Sequence, residues 1–219
     1  MSLTINQLIE EAKSLPPVPL TEATLYMEKA PLFRKYVDDT MTALENINDL
    51  IGNNPLEVMY DNHRNHASFM GNVFIIGNYE MLVRTVIWVY RAYSSHNFLC
   101  DYFPRELTIW INALDKFTEP DSVPTIRRLY TWLMKKHDNF IFLSRDESEL
   151  DLSINDKWLE LKNTFLMALL EGNGRKCLKI SKDSVLAGKD IEPFYLNIIQ
   201  SSLYEVGMLW EQGKISVAQ

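Results

Sequence analysis

The sequence has little cysteine: Cys100 and Cys177 are the only two among 219 residues. Two cysteines are too few for a disulfide-stabilised scaffold or for a zinc site built on cysteine. We therefore expect both thiols to be buried and inert, in a reducing compartment. The N-terminus also lacks a charged segment followed by an apolar run, so no signal peptide is predicted and a cytoplasmic location is expected.

Positive charge is also scarce, with 22 Lys and Arg against 29 Asp and Glu and a formal net charge of −7 at pH 7. This balance argues against direct binding of nucleic acid or of anionic lipid. No uncharged apolar run approaches the roughly 20 residues that a membrane-spanning helix needs. We therefore expect neither nucleic acid nor membrane among the partners.

Catalytic motifs are missing as well. The sequence has no Ser-His-Asp order, no phosphate-binding glycine loop and no zinc-ligand spacing. These absences favour a regulatory or binding protein over an enzyme, without deciding the question.

Helical periodicity, in contrast, runs through the whole chain. Hydrophobic residues make up 47% of the sequence, and in segments such as 33–51 and 56–76 they recur at the i, i+3, i+4 spacing of amphipathic helices. Most prolines and glycines lie between these segments, where they end helices. Pro31 lies inside one, and we expect it to interrupt or kink that helix. The pattern predicts an all-α fold made of helical bundles.

The breaks between helices predict the domain organisation. The parts are an N-terminal helix with a Pro-rich connector (1–20), a multi-helix domain that acts as a sensor or partner domain (21–143), an acidic linker (144–156) and a second helical module (157–219).

A weak internal repeat relates the two helical parts. Residues 74–78 (FIIGN) correspond to residues 169–173 (LLEGN), and each segment is followed by a helix, a polar turn and an aromatic pair. Two interpretations stay open: the N-terminal part is a degenerate copy of the C-terminal bundle, or two unrelated helical hairpins look alike.

Two histidines, His63 and His66, are weak candidates for a metal site because they lie three residues apart on one predicted helix, close to Asp61. No third strong ligand accompanies them. The alternative is a pair of buried histidines that make hydrogen bonds where helices meet.

The last fifth of the chain, 170–219, is divided into short helices by glycine. Residues 171–174 break one helix, and the next is predicted from Arg175 to Ala187 with Gly188 at its end. Asp190 is expected to cap a third helix that contains Pro193, reaches Trp210 and ends at Gly213. Ser216 is expected to cap a fourth helix that has barely begun at residue 219.

This pattern resembles the helical cap module of cobalamin (vitamin B12) binding proteins, which include methionine synthase, corrinoid methyltransfer proteins and cobalamin-based photoreceptor repressors. The resemblance lies in the Leu-Glu-Gly-Asn turn, in the helix that ends Leu-Ala-Gly, in residues 195–203 and above all in residues 206–218 (VGMLWEQGKISVA). It covers about residues 157–219. It implies a four-helix bundle that is incomplete at its C-terminus.

The resemblance also implies a cofactor and residues that contact it. In the family, an aromatic residue at the position of Trp210 and an apolar residue at the position of Val217 cover the upper face of the corrin; Val206 and Leu203 are expected to contact the cofactor as well. A broad, flat indole suits a flat macrocycle, and dry surroundings preserve a reactive cobalt–carbon bond. The alternative is that Trp210 is an ordinary core residue at a helix end.

In the family, a Rossmann-like domain with an Asp-x-His-x-x-Gly motif follows the bundle, and its histidine binds cobalt. The present sequence ends before any such motif, so we expect an N-terminal fragment of a longer protein that binds cobalamin together with that downstream domain. The Glu-His pair of the photoreceptor branch would also fall just after Gln219.

Three functions are compatible with these features. The first is a cobalamin-binding regulatory or sensory protein whose N-terminal helices bind a protein partner or form a homo-oligomer. The second is a corrinoid methyl carrier of a methyltransferase system, for which a tryptophan at the capping position is less typical. The third is a helical interaction module without a cofactor.

Overall fold

The structure, a computed structural model, describes residues 4–119, 121–145, 156–185 and 191–215, and it divides the chain into two compact units. Unit 1 is Met1–Asp146 and unit 2 is Glu147–Gln219. Within the described residues every regular element is a helix, which confirms the predicted all-α fold. No helix in these ranges combines the length and the apolar content that crossing a membrane requires.

Unit 1 contains eight described helices. Helix α2 packs against α4 and α6. Helix α5 packs against both α1 and α8. The bounds are α1 Ile5–Lys13, α2 Leu20–Thr42, α3 Ile47–Leu50, α4 Leu56–Ile76, α5 Tyr79–Ser95, α6 Tyr102–Phe117, α7 Pro124–Lys135 and α8 His137–Ser144.

Most helix ends in unit 1 fall where the proline and glycine pattern predicts them. The Pro-rich segment after Lys13 ends α1, and Gly77, with a φ of 70°, ends α4. Pro31 is different, because α2 continues through it without interruption. The helix is retained there because buried residues on both sides of the proline, Tyr26 and Phe33, pack together with their rings 5.5 Å apart.

Unit 2 is built from α9 (Asp156–Leu170), α10 (Gly174–Ser184) and a continuous helical segment formed by α11 (Ile191–Phe194), a π-helix (Tyr195–Gln200) and α12 (Ser201–Glu211). Its buried apolar cluster is small and centres on Phe165, Phe194 and Ile198. The predicted turn at Gly188, the cap at Asp190 and the helix start at Ser216 lie outside the described residues, as does most of the predicted linker.

The two segments of the weak internal repeat share one local conformation. Gly77 and Gly172 both have a left-handed φ, of 70° and 66°. The asparagine that follows each glycine then caps the next helix, since its side chain accepts the backbone N–H three residues later, from Met81 and from Lys176. The relation between the two whole units stays a prediction.

The predicted histidines lie in a buried polar network at the centre of unit 1. His63 is fully buried; its Nδ1 lies 2.6 Å from Asp38 Oδ1 and its Nε2 lies 2.8 Å from the Tyr102 hydroxyl. Both ring nitrogens therefore bind partners from α2 and α6, and no group of three metal-ligating side chains occurs in the described part of the chain.

His66 belongs to a second chain of hydrogen bonds. Its Nε2 lies 2.9 Å from the Tyr130 hydroxyl, which lies 3.1 Å from the Tyr26 hydroxyl. The His66 ring stacks on Trp110 at 4.8 Å, and the indole N–H donates to Glu106 Oε1 over 3.0 Å. Burial lowers the pKa of His66, although the nearby Glu106 carboxylate opposes this effect.

Unit 1 should therefore lose stability in mild acid through His66. Its folded-state pKa lies below the unfolded value of about 6.5, so the stability is fully present above pH 6.5 and is lost as the pH falls below it. The loss can reach about 1.4 kcal/mol per pH unit for one group. Urea unfolding between pH 7.5 and about pH 5, followed by tryptophan fluorescence, measures it.

His66→Phe removes the titrating group but keeps a ring against Trp110, so it should flatten this slope. An unaltered slope in His66→Phe would show that His66 does not carry the pH dependence.

Candidate functional site

Helix α12 exposes apolar side chains and buries polar ones. Leu203 and Tyr204 are 54% and 56% exposed, whereas the buried residues of this helix are Ser201, Ser202 and Glu211. A helix on the surface of a globular protein usually has the opposite arrangement. An exposed apolar surface of this kind is a candidate for binding a ligand or another protein.

We define the outer face of α12 as the surface formed by Leu203, Tyr204, Val206, Gly207 and Trp210. At 3.6 residues per turn, Leu203, Gly207 and Trp210 follow one another along one side of the helix. Val206 and Trp210 are half-buried at the edge of this face.

Gly207 lies between Leu203 and Trp210, at the centre of the outer face. A Cβ atom at this position would have no described neighbour within 4 Å. Packing inside the described part of the chain therefore does not require a glycine here. A glycine inside a helix costs about 1 kcal/mol relative to alanine, so its presence favours close approach by a group from outside the helix.

Of the four residues predicted to contact a cofactor, the fold brings three together. Leu203, Val206 and Trp210 share the outer face, and Trp210 is half-buried rather than sealed in the core. Val217 lies outside the described residues. The contact of these residues with a cofactor stays a prediction.

A π-helix precedes the outer face, where the sequence pattern predicted one uninterrupted α-helix. Two side chains bind backbone carbonyls before and near its start: Asn197 Nδ2 donates to Pro193 O over 2.7 Å, and Ser201 Oγ donates to Leu196 O over 3.1 Å. Side chains that bind within the carbonyl ladder change the local winding of a helix. The π-helix exposes Tyr195 and Leu196, which adds apolar surface upstream of the outer face.

The side of α12 that faces α9 contains an ion pair that the sequence analysis missed. Lys162 on α9 is only 5% exposed, and its Nζ contacts Glu205 Oε2. Burial lowers the pKa of the Lys162 ammonium. The signal in the sequence is a lysine four residues after Trp158 and three before Phe165, at an inward position of an amphipathic helix.

Two serines complete this inner side of α12. Ser201 Oγ has its bond to the Leu196 carbonyl, but Ser202 Oγ is buried without a hydrogen-bond partner among the described atoms. Serines are small, so they allow α12 to lie close to α9, and they leave little apolar contact to hold the helix in place.

Replacing the two serines should have opposite effects on unit 2. Ser202→Ala removes a buried hydroxyl without a partner, so it should leave stability unchanged or raise it by up to about 1 kcal/mol. Ser201→Ala removes a formed bond and should lower stability by about 0.5–1.5 kcal/mol. Urea unfolding followed by far-UV circular dichroism compares the stability of the two variants. If Ser202→Ala lowered stability as much as Ser201→Ala, the Ser202 hydroxyl would have a hydrogen-bond partner after all.

Comparison with known proteins gives one family match, which falls on unit 2. Residues 161–219, or 59 of the 219 residues, match the family model described as "B12 binding domain". The matched span contains most of α9, all of α10 and the entire helical segment that ends in the outer face. No curated protein matches the chain. No solved structure matches it either. The match confirms the resemblance seen in the sequence: residues 161–219 are similar to a B12 binding domain of the helical cap type.

Proposed function

We propose that the outer face of α12 covers the upper face of the corrin ring of cobalamin. The observation that carries this proposal is the exposed apolar surface with Gly207 at its centre. A flat macrocycle can approach the helix closely there, between Leu203 and Trp210, and the indole adds a broad apolar contact with few rotamers. The family match of residues 161–219 supports cobalamin as the ligand.

The outer face supplies only one side of a cobalamin site. Domains of this family are normally paired with a Rossmann-type B12 domain. We propose that such a domain, downstream or in a partner protein, holds the lower side of the corrin and binds the cobalt. In this arrangement the residues of α12 bind the ring, exclude water from its upper face and orient the cap. Cobalamin supplies the reactive cobalt–carbon bond when it is bound.

For the whole chain we propose a regulatory or sensory role. Unit 1 has its own large apolar core and forms a separate compact unit. A separate helical unit provides a surface for a protein partner or for a second copy of the chain. A corrinoid methyl carrier would need a cap and a cofactor domain, but unit 1 would have no part in carrying the methyl group.

The cofactor proposal predicts a difference between the 219-residue chain and a form that includes a B12 domain. The chain alone should show no sub-micromolar binding in an absorbance titration with methylcobalamin, because it provides one face only. The longer form should bind, and Trp210→Ala should weaken that binding about tenfold or more, since a large apolar contact is lost.

The control for Trp210→Ala is Trp88→Ala, which removes a tryptophan of unit 1 that is 41% exposed. It should leave the affinity unchanged. Equal affinities for the Trp210→Ala variant and the unchanged protein would exclude the indole as the cover of the ring.

Gly207 provides a test in which stability and binding move in opposite directions. Gly207→Ala should stabilise α12 by about 0.5–1 kcal/mol, because alanine favours the helix and its methyl group meets no described atom. The same methyl group projects from the centre of the outer face and should weaken methylcobalamin binding by the longer form about fivefold or more.

Gly174→Ala is the matched control, since a Cβ at Gly174 also has no described neighbour within 4 Å. This glycine lies at the start of α10, away from the outer face, and its replacement should not alter binding. Unchanged binding by Gly207→Ala would mean that the ring does not approach α12 at this position.

A further inference from the structure

We propose that the Lys162–Glu205 pair determines which side of α12 faces outward, and so positions the outer face for the ligand. This inference rests on the function proposed above for that face, but it concerns contacts inside unit 2 that can be measured without cobalamin. Lys162 and Glu205 act through α12 as a whole; we therefore regard both as positioning residues.

The first step concerns what hydrophobic packing alone would do. An isolated amphipathic helix turns its apolar side toward the core. In α12 the buried residues within the described range are Ser201, Ser202 and Glu211, while Leu203 and Tyr204 are exposed. Burial of the apolar side chains of α12 itself therefore opposes the observed rotation. Phe194 and Ile198, which are buried earlier in the same helical segment, favour it, and a polar contact of α12 adds to their effect.

The second step concerns the polar contact of α12. The side chain of Lys162 is 6% exposed, and that of Glu205 is 31% exposed. Lys162 Nζ contacts the Glu205 carboxylate and lies 3.5 Å from Asn163 Oδ1. A rotation of α12 that buried Leu203 would carry Glu205 away and would leave the ammonium group buried among apolar residues of α9, such as Phe165 and Leu166. A buried charge without its partner is strongly unfavourable, so the pair opposes this rotation.

The third step relates the pair to the outer face. Glu205 directly precedes Val206 and lies five residues before Trp210 on the same helix. Since α12 is a rigid helical segment, the angle at which Glu205 meets Lys162 also sets the direction of Leu203, Gly207 and Trp210. The pair adds little to stability compared with two apolar residues of similar size, but in this proposal it specifies one orientation of α12.

The test measures the exposure of Tyr204 in the 219-residue chain. Hydroxyl-radical labelling followed by mass spectrometry reports the accessibility of this ring. Lys162→Met replaces the ammonium with an apolar group of similar length and should lower the labelling of Tyr204 at least about threefold, because α12 then turns its apolar side inward. Lys162→Glu combined with Glu205→Lys restores an ion pair with reversed charges and should return the labelling to the original level.

Lys179→Met, which replaces an exposed lysine of α10, is the matched control and should leave Tyr204 unchanged. Unchanged labelling of Tyr204 in a folded Lys162→Met variant would overturn the proposal. Increased labelling would also overturn it, because α12 would then have detached rather than turned. If Lys162→Met prevents folding of unit 2, the charge-reversed variant decides: original labelling supports the proposal, and failure to recover it overturns the proposal.

The result is independent of the proposed cofactor. If Lys162→Met lowers the labelling of Tyr204 but a form with a B12 domain does not bind methylcobalamin, the positioning role holds and the cobalamin proposal fails. If methylcobalamin binds and the labelling does not change, the cofactor proposal holds and the ion pair has no positioning role.

Discussion

The buried contact between Lys162 and Glu205 is the constraint on which the arrangement of unit 2 depends. Removing one partner of a fully buried ion pair costs about 3–5 kcal/mol, and the cost is lower here because the Glu205 side chain is 31% exposed. Burying the Leu203 side chain would stabilise unit 2 by roughly 1.5–3 kcal/mol. The two energies are of similar size, so the ion pair can hold the apolar side of α12 in the solvent while hydrophobic burial works against it.

Several local features of α12 are unfavourable by themselves and become consistent once the helix is regarded as a binding surface. Gly207 weakens the helix, the Ser202 hydroxyl is buried without a described partner, and Leu203 faces solvent. Natural sequences depart from local rules mainly at functional sites. These three departures occur within six residues of one helix, and that helix ends in the most specific part of the family pattern.

The sequence was sufficient to predict the helices and the family resemblance, because both depend on local signals. Proline and glycine mark helix ends through backbone geometry, as at Gly77 and Gly172, and apolar spacing marks the helices between them. Helix α2 continues through Pro31, where the local rule predicts that a helix ends, because tertiary packing around Tyr26 and Phe33 retains the helix.

Contacts between distant residues could not be predicted in the same way. The hydrogen-bond partners of His63 and His66 come from three other helices. The spacing of residues along a single helix could therefore not identify them. Lys162 carried a signal, a charge at an inward position of α9, but its partner lies 43 residues away. The outer face was predicted only through the family resemblance. Its exposed apolar side chains depend on how α12 is rotated about its axis. Apolar spacing alone would have predicted the opposite rotation, with Leu203 buried.

The two units also differ in how they use buried polar groups, and this difference bears on function. In unit 1 the histidines and tyrosines are hydrogen-bonded inside a large apolar core, which stabilises one arrangement of helices. In unit 2 the buried apolar cluster is small, and polar contacts hold the helix with the outer face. A ligand that covers that face would add the apolar burial that α12 lacks by itself. Because binding to the folded state alone stabilises that state, occupancy of the proposed site would be coupled to the order of α12. Under the proposed function, a cap with so small a core of its own suits a protein whose state depends on whether its cofactor is bound.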